Sequence, residues 1–104
     1  MTRFAVFVEF RVGAENHDRF RELILANAAA SLRNEAGCRQ FDVLTPEGAD
    51  AAGEFSLYEI YDNAAAFAEH LKAEHYRQFD AATAPFVVAK KVVRLSLVEP
   101  RAKP

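Results

Sequence analysis

One cysteine, no tryptophan and no run of like charge narrow the reading of this 104-residue sequence before any motif is considered. A single thiol, Cys38, excludes an intramolecular disulfide and any cysteine-based zinc spacing, which fits a reducing, cytoplasmic compartment. Thirteen basic residues against fifteen acidic ones leave a formal charge of -2. Without a basic stripe, neither nucleic acid nor an anionic membrane is expected as a partner. Apolar runs are short, and none approaches the ~20 residues of a membrane span. In the opening MTRFAVFVEFRV, Glu9 and two arginines interrupt the apolar residues before a signal-peptide core accumulates.

What the chain does hold is hydrophobic: 51% of it, with nine phenylalanines, too much for a disordered segment. At this length two cores would each be undersized, so one domain is expected over residues 1–100, with a short tail at 101–104. Residues 3 to 12 alternate, with Phe4, Val6, Val8, Phe10 and Val12 on one face of a strand. Gly13 ends it. Residues 15 to 35 then lack Gly and Pro and are rich in helix formers. Phe20, Leu23, Ile24, Asn27 and Ser31 recur at helical spacing, so two polar residues lie on the stripe that should meet a sheet.

Gly37 stops that helix, and CRQFDVLT at 38–45 reads as a second strand. Pro46 to Gly53 suits a long hairpin loop. EFSLYEIY at 54–61 is a third strand, with Phe55, Leu57, Glu59 and Tyr61 on one face. Asp62 or Asn63 can cap a second helix that turns Phe67 and Leu71 inward. The pattern breaks around Glu74, and a further helical piece through His75, Tyr76 and Phe79 reaches Pro85. FVVAKKVVRLSLV at 86–98 is a last strand. The order β-α-β-β-α-β is that of a ferredoxin-like α+β domain: a four-stranded antiparallel sheet with helices on one face. Its other face, apolar and aromatic, is left for a partner, most simply a second copy of the chain.

Histidine exchanges protons near neutrality, which makes His70 and His75 the leading candidates for acid–base work. As a metal pair they are badly spaced: five residues apart on a continuous helix they diverge by roughly 140°. A break near Glu74 would let them converge. Glu59 shares a face with apolar side chains, so its carboxyl is either raised in pKa or paired with Arg33, Arg39 or Lys90. Asn27 stands where a leucine would pack better, and its amide needs a partner. Phe41, Tyr61 and Tyr76 are candidates to line an aromatic cavity. Cys38 reads as a small core residue and His17 as a surface or capping one.

The segments AGCRQFDVL at 36–44, EFSLYEIYDNAAAFAEHL at 54–71 and KAEHYRQF at 72–79 resemble the antibiotic biosynthesis monooxygenase superfamily. The small quinol-monooxygenase-like and autoinducer-2-phosphate-isomerase-like members are the most similar. The resemblance implies a dimeric α+β barrel, with each subunit's pocket between its own sheet and helices, and, for the quinol oxidisers, no flavin, haem or metal. The haem-degrading branch uses an Asn, Trp and His set, and this chain has no Trp. For the quinol oxidisers the implied chemistry is deprotonation of a dihydroxy-aromatic whose anion then reacts with dioxygen. His70 or His75 is then the base, Glu59 the orienting group and Asn27 the positioner, with Phe41, Tyr61 and Tyr76 against the substrate. The rivals are isomerisation of a small phosphorylated hydroxy-diketone, for which Lys72, Arg77, Lys90 or Lys91 would hold the phosphate, and a non-catalytic ligand-binding dimer.

Overall fold

The computed structural model describes residues 3–48 and 52–98. The tail at 101–104 and the middle of the 46–53 connector lie outside them. Four strands, β1 (Arg3–Val12), β2 (Cys38–Leu44), β3 (Glu54–Tyr61) and β4 (Val87–Leu97), form one antiparallel sheet in the order β2-β3-β1-β4. Helices α1 (His17–Asn34), α2 (Ala64–Lys72) and α3 (Glu74–Thr83) accompany it. This is the ferredoxin-like α+β order the alternation predicts.

The register explains which side chains meet. Val8 lies opposite Leu57 on one side and Val92 on the other, and Phe41 lies opposite Glu59. Because side chains alternate along a strand, Val6, Val8, Phe10, Phe41, Phe55, Leu57, Glu59 and Tyr61 share the helix-covered face, and all are buried. Phe20 and Ile24 of α1, Phe67 of α2 and Phe79 of α3 close the core over them. The opposite face carries Phe7, Tyr58, Ile60, Val93 and Leu95, with Leu95 still 43% exposed. No described element covers it.

Several boundaries differ from the sequence reading. The first helix begins at His17, preceded by a 3-10 turn over Ala14–Asn16, and ends at Asn34, before Gly37. His17 is half-buried: its ring stacks on Phe55 at 4.7 Å and its Nδ1 accepts the Gly53 N–H at 2.8 Å. Of the two possible caps it is Asn63 whose side chain accepts the Ala66 N–H, at 2.8 Å. Leu71 is 42% exposed; the inward position on α2 belongs to His70. Gly37 has a packing reason, since a Cβ there would stand 2.6 Å from the Ala66 Cβ. Its bare backbone lets α2 settle against the start of β2.

The helical run breaks at one residue. Ala73 is extended (φ -66, ψ 141) and serves as both the end of α2 and the start of α3. Its N–H still reaches His70 O at 3.1 Å and its carbonyl takes the Arg77 N–H at 3.0 Å, so the break leaves its polar groups bonded. The break also resets the rotation of the chain, cancelling the 140° divergence of His70 and His75.

Candidate active site

Under α1 and α2, against the middle of the sheet, lies a cavity of about 50 Å³. Val8, Phe10, Leu57, Phe67 and Phe79 make most of its wall, and Leu71, Lys90 and Val92 stand at its exposed side. The polar groups among its lining are few: Asn27 from α1, Glu59 from β3, His70 from α2, Tyr76 from α3 and Lys90 from β4. An apolar hollow with a handful of convergent polar groups is the usual form of a small-molecule site.

His70 is 2% exposed. Its Nδ1 lies 2.9 Å from Glu35 Oε2, and the same oxygen meets His75 Nε2 at 2.5 Å. A carboxylate accepts, so Nδ1 of His70 carries its proton and Nε2 is left with a lone pair on a ring that lines the cavity. Burial lowers the His70 pKa and the Glu35 carboxylate opposes that shift without reversing it. A neutral imidazole held in one tautomer is what a general base requires. The carboxylate that meets His70 is Glu35 and not Glu59. Glu35 falls outside every apolar periodicity because it follows the last residue of α1, and its partners lie 35 and 40 residues away. One signal was available: an acidic side chain at a helix C-terminus opposes the helix dipole and needs some other reason to be there.

Glu59, 3% exposed, forms no ion pair with Arg33, Arg39 or Lys90 among the described residues. Arg39 binds Asp62 instead, at 2.6 Å. The Glu59 carboxyl accepts the Tyr61 hydroxyl at 2.6 Å. Desolvation pushes its pKa up to about 7, aided by the charge of Glu35 and resisted by the Tyr61 hydrogen bond and Lys90. In the unfolded chain it titrates near 4.5, so between 4.5 and 7 the folded state binds the extra proton. Stability should therefore fall as pH rises through that window, by about 3 kcal/mol in all. Replacing Glu59 with Gln is expected to flatten this part of the profile, measured as the difference in urea unfolding free energy between about pH 5 and about pH 8. An unchanged difference would mean that another group carries the slope.

Asn27 is 4% exposed, and its Oδ1 has no hydrogen-bond partner among the described residues. Asn27 lines both the cavity and a groove between α1 and α3. Phe41 and Tyr76 line the cavity. Tyr61 does not: fully buried, it stands behind Glu59 as its hydrogen-bond donor. His75 lines the outer groove, one carboxylate removed from His70. Burial pushes the Cys38 thiol up to about 12, which leaves no thiolate for catalysis.

The model of the family described as antibiotic biosynthesis monooxygenase matches residues 3–82. Among solved structures, a Nitrosomonas europaea protein provisionally described as an antibiotic biosynthesis monooxygenase superposes with a TM-score of 0.86. It is 27% identical, over 96% of this chain and 94% of its own. A Mycobacterium tuberculosis protein superposes with a TM-score of 0.83 at 25% identity, over 96% of this chain and 99% of its own. A Caulobacter crescentus protein with the same provisional description gives 0.86 at 22% identity, over 94% and 92%, a likeness of fold alone.

Proposed function

We propose, from the premise that this chain belongs to the antibiotic biosynthesis monooxygenase family, that it oxidises a small quinol with dioxygen, using His70 as general base. The observation that carries this reading is the cavity in which a neutral imidazole, a carboxyl titrating near 7 and an unpartnered amide oxygen converge among aromatic walls. Nε2 of His70 takes a proton from one hydroxyl of the quinol, and Glu35 stabilises the imidazolium through Nδ1. The electron-rich anion then reacts with dioxygen itself. Quinol plus dioxygen gives a hydroxyquinone plus water: one oxygen atom enters the ring, the other leaves as water, and the quinol supplies the electrons. Glu59 exchanges the second proton, Asn27 Oδ1 accepts from a substrate hydroxyl, and Phe41 and Tyr76 flank the ring.

The cavity, about 50 Å³, is smaller than the ~300 Å³ at which ligand pockets usually begin. A ring therefore enters by displacing the exposed Leu71 and Lys90 side chains. Metal-stripped protein in an oxygen electrode with a panel of simple quinols tests the reading. Dioxygen uptake above autoxidation, with labelled oxygen appearing in a hydroxyquinone, is expected; no uptake on any quinol would overturn it.

One observation favours an isomerase as the second reading. Lys90 Nζ sits over the Phe10 and Tyr76 rings at 5.3 and 5.9 Å, with its carboxylate partner Asp80 as far as 4.0 Å. A cation so weakly paired at the cavity is suited to a substrate phosphate. Conversion of a phosphorylated hydroxy-diketone without dioxygen would select this reading.

The uncovered sheet face is assigned to a second copy of the chain, which makes the family's dimeric barrel. Phe7, Tyr58, Val93 and Leu95 offer the apolar centre such an interface needs. Leu95→Glu is expected to shift the mass seen by light scattering from two chains to one; a monomeric parent protein would sink the assignment.

A further inference from the structure

Three separate elements deliver metal-binding side chains to one point. Glu35 comes from the end of α1, His70 from α2 and His75 from the first turn of α3, and one ligand atom of each lies within 4.8 Å of the others. Around them Ser31 Oγ stands 3.5 Å from His70 Nδ1 and 3.2 Å from His75 Nε2. We propose that Glu35, His70 and His75 form a binding site for one divalent first-row cation of the zinc type.

The chemistry of the donors points that way. Two imidazoles and a carboxylate are a common ligand set for zinc, completed by a fourth oxygen. With bonds of about 2.0–2.1 Å, neighbouring ligands of a tetrahedral ion stand about 3.3 Å apart. The two Ser31 distances match that edge. Ser31 donates its own proton to the Asn27 carbonyl at 2.9 Å, so its lone pairs are turned toward the imidazoles. Glu35 Oε2 is nearer to the two nitrogens, at 2.9 and 2.5 Å, because N–H protons now fill the space between them. An ion replacing those protons needs the two carboxylate edges to open by roughly 0.4 and 0.8 Å. Glu35 has a second oxygen ready: Oε1 is buried and takes no hydrogen bond among the described residues. Its carboxylate and the His75 ring are 13% and 19% exposed, which leaves an entry path that the buried His70 lacks.

Occupancy has a consequence that rests on the function proposed above, although the site itself does not. An ion on Nδ1 moves the imidazole proton to Nε2, so the nitrogen that faces the cavity becomes a donor and the base is lost. The cation is an inhibitor of this chemistry and not its cofactor.

The test is a titration of the metal-stripped, full-length protein with Co²⁺ and Zn²⁺. One equivalent of Co²⁺ should give the visible absorption of a four-coordinate ion, displaced by Zn²⁺, and Zn²⁺ should raise Tm. Glu35→Gln, which keeps the volume of the side chain, and His75→Ala should each weaken binding by about a hundredfold or more, beyond what loss of an outer-shell partner does. Cys38→Ser should bind as the parent does. Absence of saturable Co²⁺ uptake overturns the proposal. So does parent-like affinity in Glu35→Gln and His75→Ala with native circular dichroism, or loss of binding in Cys38→Ser. Quinol oxidation enters none of these readouts, so the site and the activity stand or fall separately.

Discussion

His70→Ala is expected to lower the rate of quinol-dependent dioxygen uptake by about a hundredfold to ten-thousandfold, the usual worth of a positioned general base. The effect should fall on kcat more than on KM, because the imidazole meets the leaving proton and does little to hold the ring. The fold should survive. The His70 ring packs on Phe41, Tyr61, Phe67 and Tyr76, whereas the rings packed on Phe20 are Phe10, Phe55 and Phe79, a cluster that the substitution leaves in place. Losing the imidazole removes one of two donors from Glu35 Oε2 and leaves His75 in place, a cost of about 1–3 kcal/mol. Retained uptake in a variant with native circular dichroism would remove His70 from the mechanism.

The second large effect is on stability. Phe20 is fully buried, with the Phe55, Phe10 and Phe79 rings at 4.8, 5.1 and 5.7 Å. Truncation to alanine opens a cavity between α1, α3 and two strands that no neighbouring ring can fill without leaving its own contacts. A loss of about 3–5 kcal/mol is expected, a large share of the ~5–15 kcal/mol that holds a domain of this kind together. Urea unfolding measures it. A loss below about 1.5 kcal/mol would mean that the four-ring cluster repacks around the gap.

Alternation and helical spacing exposed the architecture because each element has one face to bury. Glu59 and Asn27 stood out in the sequence for the same reason, as polar residues on apolar stripes. His70 was legible as a titratable group, yet the stripe was assigned to Leu71, because a nine-residue helix holds too few turns to define its inward direction. Glu35 carried no signal in the apolar pattern, only its misfit with the helix dipole. Local periodicity says nothing about a residue just past a helix end, and its role depends on contacts made only once α2 and α3 have docked. Glu59 illustrates the same point: its carboxyl takes the Tyr61 hydroxyl two residues along β3, whereas the carboxylate that meets both histidines comes from the end of α1.

The sheet order leaves β4 at a margin of the sheet, with no described strand along its outer side. An unguarded margin of that length, eleven residues, is a template for end-to-end growth. Lys90, Lys91 and Arg94 all fall on this strand. Two copies approaching margin to margin would bring these cations against one another, whereas on the open sheet face Lys91 stands opposite an acidic residue, Glu9. For the dimer proposed above, this charge pattern would favour association through the sheet face, which closes on itself after one step, over growth into a fibre.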